Sequence, residues 1–238
     1  MSFFDDIEVE KLGLDEDKVG GSFAKIDKTG FYNMTIEKAY VGEYDSGAKY
    51  IVIGLVGDDK AKLSFRGIVS SGREKGCKSY YMVKDKSGNE TGEKRNLPDY
   101  SKMKALDELL TSKDRAYPAL STGLVDIYDK DLKKEVPTEK LIISEWIGKP
   151  VSVLVKKKLE DDYNEPTKPR EVFEVEHFLD SKTGRTRNEI VSGKTGFKEK
   201  WLDTYKEDFV NDVRNKTKNY VASESNTSSE STTEDSFF

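Results

Sequence analysis

FYNMTIEKAYVGEYDSGAKYIVIGLVGDDKAKLSFRGIV (residues 31–69) decides the fold. FYNMTIEKAYVGEY (31–44) is rich in aromatic and β-branched residues and reads as a strand. Asp45-Ser46-Gly47 is a turn signal, because Asp and Ser bond their own backbone and Gly accepts positive φ. KYIVIGLVG (49–57) is a near-continuous apolar run, so a strand covered on both faces is expected there. Asp58-Asp59 turns the chain again, and KLSFRGIV (62–69) supplies a third strand. Three strands joined by short turns form a meander.

The pattern weakens outward from that stretch. SSGREKGCK (70–78) is a Gly- and base-containing loop, SYYMVKD (79–85) a further strand, and KSGNETGEKRN (86–96) a long polar loop. Asp99 is placed to cap a helix over 100–112, on which Met103, Leu106, Leu109 and Leu110 share one face. Strands are expected at 123–128, 150–156 and 171–178, the last two separated by the loop EDDYNEPTKPR (160–170). Phe197, Trp201, Tyr205, Phe209 and Val213 recur every four residues, which predicts a helix over 197–214 with one packing stripe. That stripe suits core packing or a homodimer seam. Residues 219–238 are Ser/Thr/Glu/Asn-rich and cannot bury enough apolar surface to offset ordering entropy, so disorder is expected.

The fold class expected is mainly β (α+β): an OB-like barrel with an inserted helix, a C-terminal helix and disordered ends. The divisions are a flexible acidic segment (1–20), a core (21–192), an amphipathic helix (193–218) and the tail (219–238).

The chain has 238 residues, enough for one domain with a sizeable core. Cys77 is its one cysteine, so no intramolecular disulfide can form, which suits a reducing compartment. Phe3 and Phe4 followed by Asp5 and Asp6 are unlike the basic start of a signal peptide, and no run of about 20 apolar residues suits a membrane span. A cytoplasmic protein with no membrane contact is therefore expected. The net charge is −5, but residues 1–18 hold seven acids and two bases, and residues 219–238 hold four acids and no base. The middle is thus net basic, and acidic ends could compete for its basic surface.

Little suggests catalysis. His177 is the one histidine, and with one cysteine it cannot assemble a Cys/His zinc site within the chain. SGKTG (192–196) lacks the Gly that a phosphate-binding loop needs five positions before its GK, where Asn188 stands. Asp99, Asp131 and Lys133 loosely match a PD…DxK nuclease pattern, in which two carboxylates hold magnesium and a lysine steadies the attacking water. That leaves a metal nuclease as one alternative and a structural or assembly protein as another. No cofactor is expected.

The residues that carry a function are cations interleaved with aromatics. An unpaired strand exposes phosphates and base faces, so binding it without sequence choice needs both. Lys62, Phe65, Arg66, Arg73, Lys75, Lys78, Tyr80 and Tyr81 supply them, extended by Lys94 and Arg95 and by Lys156, Lys157 and Lys158. Tyr80 and Tyr81 must point to opposite faces of a strand. A second feature is the tip TTEDSFF (232–238), where Glu234 and Asp235 could meet a basic rim and Phe237 and Phe238 an apolar pocket on a partner.

This tip resembles those of bacterial and phage single-stranded DNA-binding proteins, in which an acidic segment ends in a hydrophobic residue. SGAKYIVIGL (46–55), FRGIVSSG (65–72), NLPDYSKMKAL (96–106) and IGKPVSVLVKKK (147–158) look like phage proteins of this class with an OB core. The resemblance implies a non-enzymatic protein that coats single-stranded DNA during replication, recombination or repair, in the host cytoplasm. It also implies recruitment of DNA polymerase or other replisome proteins through the tail.

Overall fold

The computed structural model describes residues 26–162 and 168–214. The meander forms as expected: β1 (Gly30–Glu43), β2 (Lys49–Gly57) and β3 (Lys62–Ser70) pair in antiparallel order. In β1 the register shifts between Ile36 and Lys38. Such an irregularity bends a strand and sharpens its twist. Its first part, Gly30–Thr35, therefore pairs with β8 (Pro150–Asp161), while Tyr40 and Val41 pair with β7 (Lys134–Ile142). β9 (Pro169–Leu179) lies on the other edge of β8, and β6 (Ser121–Asp129) pairs with β7 as a long hairpin. The main path is thus β3-β2-β1-β8-β9. No ladder joins β3 to β9 among the described residues, so the sheet stays open rather than closing into a barrel.

The helix α1 (Pro98–Thr111) packs across that gap, touching both β3 and β9. Met103 and Leu106 enter the core beside Ile36, Ile53, Leu55 and Val153. Asp99 does not cap the helix. Leu97 is the N-cap, Pro98 follows with its ring-fixed φ, and the Asp99 carboxylate accepts the Ile68 N–H of β3 at 3.0 Å. It thereby satisfies a donor on an edge strand that no neighbouring strand meets. The Phe65 and Phe178 rings meet edge to face across the same gap, 5.5 Å apart.

A buried polar knot fixes the far end of α1. Asp107 accepts from both Nε and Nη2 of Arg115, at 2.6 and 2.8 Å, and from the indole N–H of Trp146 at 2.8 Å. Arg115 also reaches Glu145 at 2.7 Å, and Lys113 joins from the other side at 2.9 Å. With both partners of each bond present, the buried carboxylate is fully satisfied.

Several expectations change. The polar stretch 86–96 is not all loop: β5 (Glu90–Asn96) pairs with β4 (Tyr80–Lys84) in a separate two-stranded sheet. Every residue of β5 is exposed, so no apolar alternation marks it. β7 went unread because Pro137 interrupts a strand that is mostly polar. In place of one C-terminal helix over 193–218, the described part of that range holds α3 (Phe197–Thr204) and then β10 (Val210–Asp212) running parallel to β8, and a further short helix, α2 (Arg187–Ser192), ends just before it. The four-residue stripe survives the break: Trp201 and Tyr205 stack at 5.1 Å, and Tyr205 and Phe209 at 4.9 Å. Phe197 and Trp201 pack with Leu154 and Leu179 on the outer side of β8 and β9, so the stripe is core. The acidic segment 1–20, the tail 219–238 with its tip, and residues 163–167 lie outside the described residues.

Candidate nucleic-acid interface

The face of β2 and β3 that points away from the main core is set by their register. Tyr50 lies opposite Ile68, Val52 opposite Arg66, Gly54 opposite Ser64 and Val56 opposite Lys62. Strand alternation turns Leu63, Phe65 and Val69 inward and Lys62, Ser64, Arg66 and Ile68 outward. Phe65, a stacking candidate from the sequence, is 6% exposed and belongs to the core. That burial leaves no ring face open to a base.

The β6–β7 hairpin folds over part of this outer face. Val125, Ile127 and Ile142 cover Tyr40 and Val52. Lys38 ties the hairpin down by donating to the Asp126 carbonyl at 2.9 Å, with Glu135 3.8 Å away. Its stem crosses Gly54, where an added Cβ would sit 2.6 Å from the Lys38 Cγ. Burial raises the pKa of the Tyr40 phenol above its usual value, and the nearby Arg66 charge opposes that rise.

At the margin of the hairpin lies a group of aromatics beside one cation, with Tyr50 half-buried against the Tyr40–Val52–Val125 cluster and Tyr44 exposed. Tyr50 and Tyr44 have ring centroids 4.6 Å apart, and the Arg66 guanidinium lies over the Tyr50 ring at 5.0 Å. Tyr44 is 38% exposed and Ile68 44%. Arg66 makes no ion pair among the described residues. Tyr50 can lie flat because its cross-strand partner is Gly42: a Cβ there would stand 2.4 Å from the phenol ring. A planar cation on an aromatic face, free of an acid, can accept a phosphate oxygen or stack on a base.

From β3 the chain continues into a basic rim. Arg73 donates its backbone N–H to the Ser46 carbonyl and folds its side chain over Gly47, at φ +77° in the β1–β2 turn. Ser71 and Lys78 close the loop by a backbone bond of 2.8 Å. The β4–β5 hairpin starts there. Tyr80 lies under two amines, Lys78 at 5.8 Å and Lys94 at 5.0 Å. Tyr81 points to the opposite face, 45% exposed, across from Arg95.

The candidates therefore divide by their partners. Arg66, Lys75, Lys78 and Lys94 have no acid partner among the described residues; Arg66 is on this face, Lys75 and Lys78 follow in the loop after β3, and Lys94 is on β5. Lys62 pairs with Glu37, Arg73 with Glu43 and Arg95 with Glu93, at 3.3, 3.0 and 2.7 Å. Lys156 and Lys158 are on β8, two strands away, where they pair with Glu176 and Glu160. Lys156 also lies 3.8 Å from the Tyr205 ring centre, on the α3 side. Sequence reading missed Tyr44, Tyr50 and Ile68. The apolar run around Tyr50 hid its alternation, which shows only once β2 is set against Ser64, Arg66 and Ile68.

His177 is half-buried, with its ring edge-on to Phe197 at 4.8 Å, and burial holds its pKa below the ordinary 6.5. Asp99 is engaged with Ile68, and Asp131 sits in the β6–β7 turn, where its N–H is held by Asp129 at 2.8 Å. Among the described residues there is no group of three acids, histidines or cysteines that could hold a metal ion. No described helix is long and apolar enough to cross a membrane. Comparison with protein-family models gives no match, and comparison with curated proteins gives none.

Proposed function

We propose that the chain binds single-stranded DNA without sequence preference, on the outer face of β2 and β3, and protects it during replication and recombination. The observation that carries this reading is the Tyr44–Tyr50–Arg66 group: an exposed ring and a half-buried one 4.6 Å apart and a guanidinium 5.0 Å from the second, with no acid paired to it among the described residues. Rings accept unpaired bases of any identity, and duplex DNA hides those faces. The sequence preference is therefore weak and the preference for single strand strong. Lys75, Lys78 and Lys94 extend the positive charge along the rim.

The path β3-β2-β1-β8-β9, with α1 inserted between β3 and β8 along the chain, supports an OB-like barrel whose last seam is spanned by α1 and the Phe65–Phe178 contact. In barrels of this kind the same outer strands hold oligonucleotides. The tail residues Glu234, Asp235, Phe237 and Phe238 would recruit a polymerase or other replication protein, as in the phage proteins that the sequence resembles.

Fluorescence anisotropy of labelled oligo-dT and of a matched duplex, across a salt series, tests this. The expected result is single-strand binding that weakens as salt rises, with a log–log slope of roughly −2 to −3 if three or four cations meet phosphates. Equal affinity for duplex, or no binding at low salt, would overturn the reading.

A further inference from the structure

A cleft of about 730 Å³ opens on the side of the molecule where β3 and β9 fail to pair. One wall is α1, through Ser101, Lys102 and Ala105; the floor is His177 and Phe178 of β9; the other wall is α2 and the start of α3. These walls are tied in place. Arg187 of α2 bonds Glu108 of α1. Glu189 accepts from the backbone N–H of Thr186 at 2.9 Å and of Phe197 at 2.8 Å, which couples α2 to α3.

The cleft is apolar inside and cationic at its edge. Ala105, Phe178, Val191 and Phe197 line it, and Val191 is 67% exposed, an unusual position for a β-branched apolar side chain on a short helix. Lys102, Arg187 and Lys194 stand around it; Lys102 donates to the Val175 carbonyl at 3.0 Å with Asp99 3.9 Å away, Arg187 is held by Glu108, and Lys194 makes no ion pair among the described residues. Both acids of the lining are already engaged: Glu189 as above, and Glu176 with Lys156 at 3.3 Å. The chemistry that fits is a large apolar side chain next to carboxylates.

The chain carries that chemistry in Glu234-Asp235-Ser236-Phe237-Phe238. Residues 219–238 hold four acids and no base, so the whole segment is complementary in charge to the cleft edge. The connection is also short. α3 forms part of the cleft wall, and Tyr205–Phe209 alone separate it from β10, after which the described chain reaches Arg214. Residues 215–233, at about 3.3 Å each when extended, could span roughly 60 Å. The acidic N-terminal stretch also carries Phe3 and Phe4, but it includes Lys11 and Lys18 and enters the fold at Ile26, against Met34 and Ala61.

We infer that the cleft between α1 and α2–α3 holds the chain's own tip, with Phe237 or Phe238 in the apolar floor and Glu234 and Asp235 against Lys102 and Lys194. Docked there, the tip is stored away from the Tyr50–Arg66 face, and a partner that reads it must first draw it out. The inference stands on the cleft and the tail, independently of nucleic-acid binding.

Photo-crosslinking of the full chain tests it, with p-benzoylphenylalanine in place of Phe238 and adducts mapped by mass spectrometry. The expected adducts are monomeric and fall on the peptides carrying Ala105 and Val191. Val191→Asp, at an exposed position, should reduce them at least fivefold while leaving the melting temperature within a degree or two. Adducts on the Tyr44–Tyr50 or Arg66 peptides would overturn the inference. So would adducts of dimer mass alone, yields unchanged by Val191→Asp, or the same cleft adducts from a label at Phe4 and none from Phe238.

Discussion

At the scale of single residues, the candidate face depends on a glycine. Gly42 sits opposite Tyr50, and the ring occupies the space a side chain would need, 2.4 Å from a built Cβ. Gly42→Val should therefore tilt Tyr50 off Arg66 and weaken single-strand binding about tenfold, an effect anisotropy would measure, at a stability cost of only about 1 kcal/mol. A fall in affinity with no shift of the Tyr50 resonances would exclude this mechanism. Asp107 has the opposite character, being structural and remote from the face. Asp107→Ala leaves a buried indole N–H without its acceptor and a largely buried guanidinium with Glu145 alone, so the urea midpoint should fall by an amount worth about 3 kcal/mol. Single-strand affinity measured well below that midpoint should be unchanged. Residue chemistry was partly legible in sequence. Arg66, Lys78 and Lys94 were picked out by type, but Phe65 and Tyr50 exchanged roles, because which side of a strand faces the core is decided by pairing and not by composition.

At the scale of elements, strong local signals carried through and weak ones did not. β1, β2 and β3 lie within a residue or two of the expected bounds because β-branched runs and Asp/Gly turns mark both ends. The stripe 197–213 had helical spacing, yet the helix ends at Thr204, and Val210–Asp212 pair with Lys157–Leu159 instead. Thr29 supports the switch, donating to the Phe209 carbonyl at 2.7 Å and accepting the Lys157 N–H at 2.9 Å. A tertiary partner overrode the periodicity. β5 had no apolar signal at all, and α2 was too short for a period to emerge. The α2–α3 unit also makes a pH prediction. Phe197 and its neighbours bury His177, whose pKa in the fold lies below 6.5, so the folded state favours the neutral ring. The unfolded chain takes up that proton more readily. Stability should thus be fully present above about pH 6.5 and fall as pH drops through the folded pKa. Urea midpoints of the parent and of His177→Gln, followed from pH 7.5 to pH 5, measure this. Parallel curves for the two would contradict it.

At the scale of the whole molecule, charge is distributed rather than balanced. On β8 the cations Lys156, Lys157 and Lys158 are each held by a glutamate. Along β3, the loop that follows it and the β4–β5 hairpin, Arg66, Lys75, Lys78 and Lys94 have no glutamate or aspartate partner among the described residues. This contrast is what singles out the proposed binding face, and no count of lysines in the sequence could have drawn it. Pairing depends on which strands become neighbours. The open seam between β3 and β9 is likewise a property of the assembled sheet: it leaves one side for α1 and its cleft, and the other for the Tyr50–Arg66 face. The central claim is that this second face holds unpaired bases, and the most direct test is the oligo-dT affinity of the full chain and of Tyr50→Ala, with a duplex control. A 10- to 100-fold loss is expected, the equivalent of about 1–3 kcal/mol for one stacked base, measured at a temperature where both proteins are fully folded. Parent-like affinity in Tyr50→Ala would contradict the account, because among the described residues no other ring lies under the Arg66 guanidinium.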